Sequence, residues 1–219
     1  MSYERSRSMN TTIFCDFDGT IAQDDVFVKA FQQFTPELTA KLLPEIYAFR
    51  LTLKDGVSQL IASIPASQYP AMLEYVKSQP MRLGFVELLD FLDSRQVPLV
   101  VISGGLVDIV KAVLGEELTR RVAGIHAIEI DAQGEYLQLN SDWEGETELI
   151  AKVKVIEHYQ VDQPIAIGDS ITDYNMAMYV PIVFARDKLA TYLDEQHKAY
   201  IPWTDFYDIQ GKLAQIWGD

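Results

Sequence analysis

Two rhythms of apolar and polar positions divide the chain. The run TTIFC, residues 11–15, is continuous and β-prone, and it breaks at once into DFDGT. Asp is a poor strand residue, so this reads as a strand that delivers carboxylates at its C-terminal edge, with a solvated turn hinged at Gly19 as the plainer alternative. After Thr20 the spacing changes. Val26, Phe27, Ala30, Phe31 and Phe34 recur at three and four residues, the period of an amphipathic helix. Thr35–Pro36 reads as the N-cap and first residue of a second helix, in which Leu38, Leu42, Ile46 and Phe49 continue the period. Short helices are expected over Gly56–Ile64 and Pro70–Lys77, separated by breaks at Pro65 and Pro80. Residues 22–81 thus read as a helical insert without a strand.

Beyond Pro80 strand and helix alternate. A helix is expected over Gly84–Arg95, then the strand VPLVVIS, a helix over Val107–Leu114, the helix-like AKVKVIEHY, and the strand PIAIG ending at Asp169. Alternation with continuous apolar strands is the mark of an α/β fold, a parallel sheet covered by helices. IHAIEIDAQGEYLQL, residues 125–139, interrupts it as a hairpin turning at Gly134, and PIVFA and a helix over Tyr207–Trp217 end the pattern. The expected organisation is a core of residues 1–21 and 82–219 around an insert of residues 22–81, with residues 1–10 a flexible tail.

With 219 residues, 48% of them apolar, the chain can bury a full core. Its net charge of -14 argues against nucleic acid or an anionic membrane as partner, because both need a basic face. An anionic substrate must then be attracted locally, by a metal, a lysine or backbone N–H groups. The one cysteine, Cys15, cannot form an internal disulfide, and no apolar run is long enough to span a bilayer, so a cytoplasmic protein is expected. MSYERSRSMN lacks the apolar stretch of a secretory signal. Cys15 reads as a core residue rather than a reactive thiol, since flanking carboxylates raise a thiol pKa.

Three strands end in polar residues: CDFD at 15–18, SGG at 103–105 and GDSITD at 168–173. In an open parallel sheet the loops at the carboxyl ends of the strands share one crevice, so these three should meet. Asp169 and Asp173, four apart, fall on one side of a helical turn. At least three carboxylates then make a hard-oxygen cage suited to Mg2+. Ser103-Gly104-Gly105 offers a hydroxyl and flexible backbone to a phosphate, although such turns often only connect a strand to a helix. Lys152 and Lys154 start a helix, where a cation opposes the helix dipole; at most one of them need serve the site.

DFDGT, a serine after an apolar strand, a lysine and GDSITD, in that order, resemble the four motifs of the haloacid dehalogenase superfamily of phosphotransferases. The insert resembles that superfamily's cap. The resemblance implies a Rossmann-like core and a phosphatase. It implies Asp16 as nucleophile and Asp18 as the acid and base that protonates the leaving oxygen and then activates water. It implies Mg2+ held by Asp16, the Asp18 carbonyl, Asp169 and Asp173, and a transferring phosphoryl group held by Ser103, Gly104 and Lys152, the last preferred to Lys154 by its place in AKVKVIEHY. A small phosphorylated metabolite is the implied partner. The period-two rule predicts that Asp16 and Asp18 point to the same side of an extended strand.

DFDGTI, VISGG, GDSITD, FARDKL at 184–189 and DFYDI at 205–209 bring the chain closest to the phosphoserine-phosphatase-like branch, and within it to a methionine-salvage phosphatase family. Where phosphoserine phosphatases carry a glutamate after the first motif, this chain has only the shorter Asp24 and Asp25. Arg50 in the insert is open to two readings, substrate contact or solvated surface. Phe184 is expected to pack, and Arg186 and Asp187 to pair at the surface. A phosphoserine-type or other small-metabolite phosphatase and a catalytically silent binding protein are the alternatives.

Overall fold

A computed structural model describes residues 10–218. Its sheet has the order β4-β3-β2-β1-β5-β6-β7, where β1 is Thr11–Cys15, β2 Leu99–Leu106, β3 Gly124–Asp131, β4 Gln138–Asn140, β5 Gln163–Gly168, β6 Ile182–Ala185 and β7 Ile201–Pro202. All neighbours are parallel except β3 and β4. The parallel pairing follows from the helices between strands, α5 (Phe85–Ser94), α6 (Val107–Arg121), α7 (Lys152–Tyr159), α8 (Tyr174–Tyr179) and α9 (Asp187–Glu195), and α10 (Phe206–Trp217) follows the last strand. Ile13, Phe14, Val100, Val101, Ile165 and Ile167 are buried completely, as strands covered by helices require. Phe85 of α5 meets Phe206 of α10 with ring centroids 5.1 Å apart, fixing one helical layer.

β1 lies between β2 and β5, with Cys15 opposite both Val101 and Ile167. The chain leaves β1 to one side for β2 and returns on the other for β5, so the strand order reverses at β1. A crevice opens at such a reversal.

Between β1 and α5 lie α1 (Val26–Phe34), α2 (Pro36–Tyr47), α3 (Leu53–Ala62) and α4 (Tyr69–Val76). Asp25 caps α1 by accepting from the Val28 N–H at 2.8 Å, and Thr52 caps α3 in the same way from Asp55. The insert is tied to the core at two ends. At its base Ala22 bridges Met81, and the Arg82 N–H donates to the Ile21 carbonyl at 2.8 Å. At its far end Pro65 bridges Tyr136 of the β3–β4 connection, flanked by bonds from Ala66 N to Glu135 O and from Leu137 N to Ile64 O, both 2.9 Å.

Several elements differ from the sequence expectation. β2 runs on through Ser103, Gly104 and Gly105 to Leu106, with a register shift against β3 after Ile102, so the glycines lie in an irregular strand end rather than a loop. β6 is followed by α9 and by a short parallel strand, β7, which the exposed composition of 186–202 hid. α6 continues to Arg121 across a break at Gly115, whose φ is +70°. Phe49 does not continue the α2 stripe; it stands beyond the helix with φ 55°, 78% exposed. The expected tail of residues 1–10 lies outside the described residues except for Asn10, whose carbonyl accepts from Asp162 and Gln163.

Candidate active site

β1 ends at Cys15 and the chain turns through Phe17–Ile21, closed by a 2.9 Å bond from the Ala22 N–H to the Phe17 carbonyl. Gly19 sits in this turn at φ +75°, and a Cβ there would run into the Asp169 carboxylate, so glycine is required for both conformation and space. Arg82 braces the turn from outside, donating to the carbonyls of Gly19 at 2.5 Å, Thr20 at 2.9 Å and Gln23 at 3.2 Å. Nothing in the sequence around Arg82 marks it for this task, because its partners are backbone carbonyls.

Asp16 stands just past the strand, almost fully buried, with its N–H donating to Ile167 O at 2.9 Å. Asp18 lies inside the turn, so the turn and not strand alternation aims it; the period-two expectation is corrected on this point. Its Oδ1 accepts from the Phe27 N–H at 3.1 Å and its Oδ2 from the Ser103 hydroxyl at 3.3 Å. The first turn of α1 therefore serves two carboxylates, Asp18 through Phe27 and Asp25 through Val28.

Lys152, the first residue of α7, is buried and donates from Nζ to Asp16 Oδ1 and Asp173 Oδ1, each at 2.6 Å. Its ammonium has a third proton left for a ligand. Asp173 is wholly buried, and its Oδ2 accepts from the N–H groups of Asp169 and Ser170 at 3.0 and 3.1 Å. It thereby shapes the loop that presents Asp169. Gly168 is needed for that approach, since a Cβ on it would lie 2.5 Å from the Asp173 carboxyl carbon. Thr20 donates to Asp169 Oδ1 at 3.2 Å. Asp16, Asp169 and Asp173 each offer an oxygen within 4.8 Å of the others, a group that could hold a metal ion.

Four carboxylates meet one ammonium here, and their acidities record the imbalance. Burial first, then the charge of Asp173, raises Asp16 to about 7 despite Lys152. Burial, Asp16 and Asp173 raise Asp169 to about 8. Burial, Asp25 and Asp16 hold Asp18 well above the ordinary carboxylate range, and two α1 amides only partly offset this. Burial alone would lower Lys152, but Asp16 and Asp173 more than compensate and leave it raised. Asp18, pushed towards its protonated form, stands two residues from the lysine-held Asp16, and the surplus negative charge of the cluster invites a cation.

Ser103 is buried; its Oγ accepts from Gly105 N–H at 2.9 Å while its hydroxyl reaches Asp18. A Cβ on Gly105 would come within 2.9 Å of Asp18 Oδ2, whereas one on Gly104 would meet nothing within 4 Å, so open space lies over Gly104. Lys154 is exposed and bonded to the Glu144 carbonyl at 2.9 Å, outside this cluster. Arg50 is exposed and paired with Glu45 at 2.7 Å. Arg186 pairs with Asp187 at 2.7 Å and reaches Thr204 O at 2.8 Å, and Phe184 is core. Asp24 is matched by Lys29 at 2.7 Å. Cys15 is buried, its thiol pushed up by burial and by Asp16. Among the described residues no helix is long and apolar enough to cross a membrane.

Residues 13–178 match the haloacid dehalogenase-like hydrolase family. The chain is 44% identical to a Microcystis aeruginosa 2-hydroxy-3-keto-5-methylthiopentenyl-1-phosphate phosphatase over 94% of its own length and 98% of that protein's. It is 31% identical to a Bacillus cereus protein of the same name over 95% and 98% of the two chains. Its fold is shared with a phospho-aspartyl intermediate analogue of phosphoserine phosphatase, with a TM-score of 0.68 at 18% identity over 93% of this chain and 98% of that one. Family match, relatives and fold agree that the chain belongs to the haloacid dehalogenase-like hydrolases and is a phosphatase.

Proposed function

We propose that the protein is a Mg2+-dependent phosphatase that hydrolyses 2-hydroxy-3-keto-5-methylthiopentenyl-1-phosphate in methionine salvage, through an acyl phosphate on Asp16. The observation that carries the chemistry is the pairing of Asp16, gripped by Lys152 at 2.6 Å, with an Asp18 two residues on that is bonded to the Phe27 N–H and the Ser103 hydroxyl. The substrate rests on the relatives of that name, which the chain matches along nearly its whole length at up to 44% identity.

Asp16 attacks phosphorus with a carboxylate oxygen as the bond to the leaving oxygen breaks, and Asp18 gives that oxygen its proton. Asp18, now ionised, takes a proton from the water that attacks phosphorus next; the bond from phosphorus to Asp16 breaks, and inorganic phosphate leaves. Lys152 fixes the rotation of the Asp16 carboxylate, and its free proton, with Ser103 and Gly104, holds the phosphoryl oxygens. Asp16, Asp169, Asp173 and the Asp18 carbonyl are hard-oxygen donors that fit Mg2+, and Asp173 also acts by holding Lys152 and the 169–170 amides. Mg2+, when bound, supplies the positive charge that lets a phosphate dianion enter among carboxylates. Residues 22–81 act as the cap that screens this chemistry from water, over a core of 1–21 and 82–219. A small phosphorylated metabolite in the cytoplasm is the expected substrate.

The test is phosphate release over a panel of phosphorylated metabolites, with and without excess EDTA. The enol phosphate should show the highest kcat/KM and should lose turnover on chelation. Preference for phosphoserine, or full activity with metal stripped, contradicts the reading.

A further inference from the structure

The catalytic residues leave open how the leaving group is read, and two paths from them converge on one pair of side chains. On the core side, the Leu189 N–H donates to the Asp169 carbonyl at 2.8 Å, which anchors the start of α9 against the acidic cluster. Lys188 precedes Leu189 and is exposed, with Nζ 5.3 Å from the centroid of the Tyr47 ring. On the insert side, Asp18 and Asp25 share the first turn of α1 through Phe27 and Val28. Tyr47 is the last residue of α2, which packs against α1. Lys188 and Tyr47 thus meet, one from each side, next to the segment that carries Asp169.

An exposed contact of this kind adds little to folding. Tyr47 is 59% exposed at the last residue of α2, and the segment after it carries the still more exposed Phe49. Neither side of the contact is held by burial, so a ligand can separate it. The acids nearby are already committed, Asp24 to Lys29 and Asp25 to the Val28 amide. What this contact offers an arriving molecule is a movable ammonium and the face of an aromatic ring.

We infer that Lys188 and Tyr47 are the specificity pair of the enzyme: the ammonium turns from the ring to an electron-rich oxygen of the leaving group, and the ring covers an apolar tail. The class selected is a phosphomonoester whose leaving group carries a keto or hydroxyl oxygen close to the ester and an uncharged apolar end. This rests on the proposed phosphatase reaction, and the enol phosphate is one member of the class.

Lys188→Met, which keeps the side chain's length, and Tyr47→Ser are measured on the enol phosphate and on methyl phosphate, whose leaving group carries neither a second oxygen nor an apolar tail. Each variant should lower the ratio of kcat/KM between the two substrates by about tenfold or more, chiefly through KM on the enol phosphate, with an unchanged thermal midpoint. An unchanged ratio, or an equal fall on both substrates, overturns the assignment. If the wild-type protein prefers another phosphate, the substrate proposal fails by that result alone. The same ratio, taken with the preferred phosphate, then decides the pair.

Discussion

In the proposed mechanism Asp16 and Asp18 take different roles because their surroundings differ. Lys152 grips Asp16 at 2.6 Å, while burial and the charges of Asp25 and Asp16 push the Asp18 carboxyl above the ordinary carboxylate range. Asp18→Asn keeps the shape but cannot carry a proton to or from water. The variant should accumulate phosphate on the protein and release it at least a hundredfold more slowly than wild type, a loss typical of deleting an acid or base. Rapid mixing and quenching reads this, and wild-type release rates would remove Asp18 from the mechanism. The acidities also set a pH dependence. In the metal-free protein Asp16 and Asp169 titrate at about 7 and about 8, so between about pH 4 and pH 8 the folded state keeps protons that the unfolded chain releases. Stability from these two groups is therefore present at low pH and lost as pH rises through their folded values. A divalent cation competes with the same protons, so the gain in thermal midpoint on adding Mg2+ should be larger at pH 8 than at pH 6. A gain that shrinks with rising pH contradicts the assignment of these two groups as ligands.

The elements position those residues with backbone geometry that only part of the sequence discloses. The strand TTIFC, the α/β alternation and the helical insert were legible because period and composition agree over whole elements. The meeting of 16–18, 103–105 and 169–173 followed from strand ends on one sheet edge. The aim of Asp18 was not legible, since it depends on a turn closed from Phe17 to Ala22 and braced by Arg82, both through backbone carbonyls. β7 has two residues and α9 begins at a positive-φ Asp187, too little pattern for a periodicity argument. Phe49 continued a helical count on paper, but α2 ends at Tyr47 and carries Pro44 in its interior. Gly19 gives a sharp test at this scale. Alanine there meets a φ of +75° and the Asp169 carboxylate, and so displaces the turn or the cluster. Gly19→Ala should lower kcat by about a hundredfold with the fold retained by circular dichroism, the scale of loss from a displacement of about 1 Å. Near-normal kcat would show that the turn tolerates a side chain.

At the scale of the whole molecule, the helical segment between β1 and α5 is restrained by contacts at both of its ends and by the Tyr69 hydroxyl, which donates to Asp108 at 2.9 Å. The Ala22–Met81 bridge alone would allow the insert to swing as a lid. The second bridge, Pro65–Tyr136, and the Lys54–Glu144 ion pair at 2.7 Å fasten its other end to the core. Motion should concentrate near the Tyr47 side, and the Ala66 and Leu137 amides should stay protected from hydrogen exchange without substrate; rapid exchange at both would mean that the whole insert opens. All of this serves one claim, that phosphate passes through Asp16. Stopping the wild-type enzyme during turnover of the enol phosphate with Mg2+, then mapping phosphate on its peptides by mass spectrometry, tests that claim most directly. The account predicts an acid-trapped phosphoryl group on Asp16. Full turnover with phosphate on another residue and none on Asp16 would contradict it.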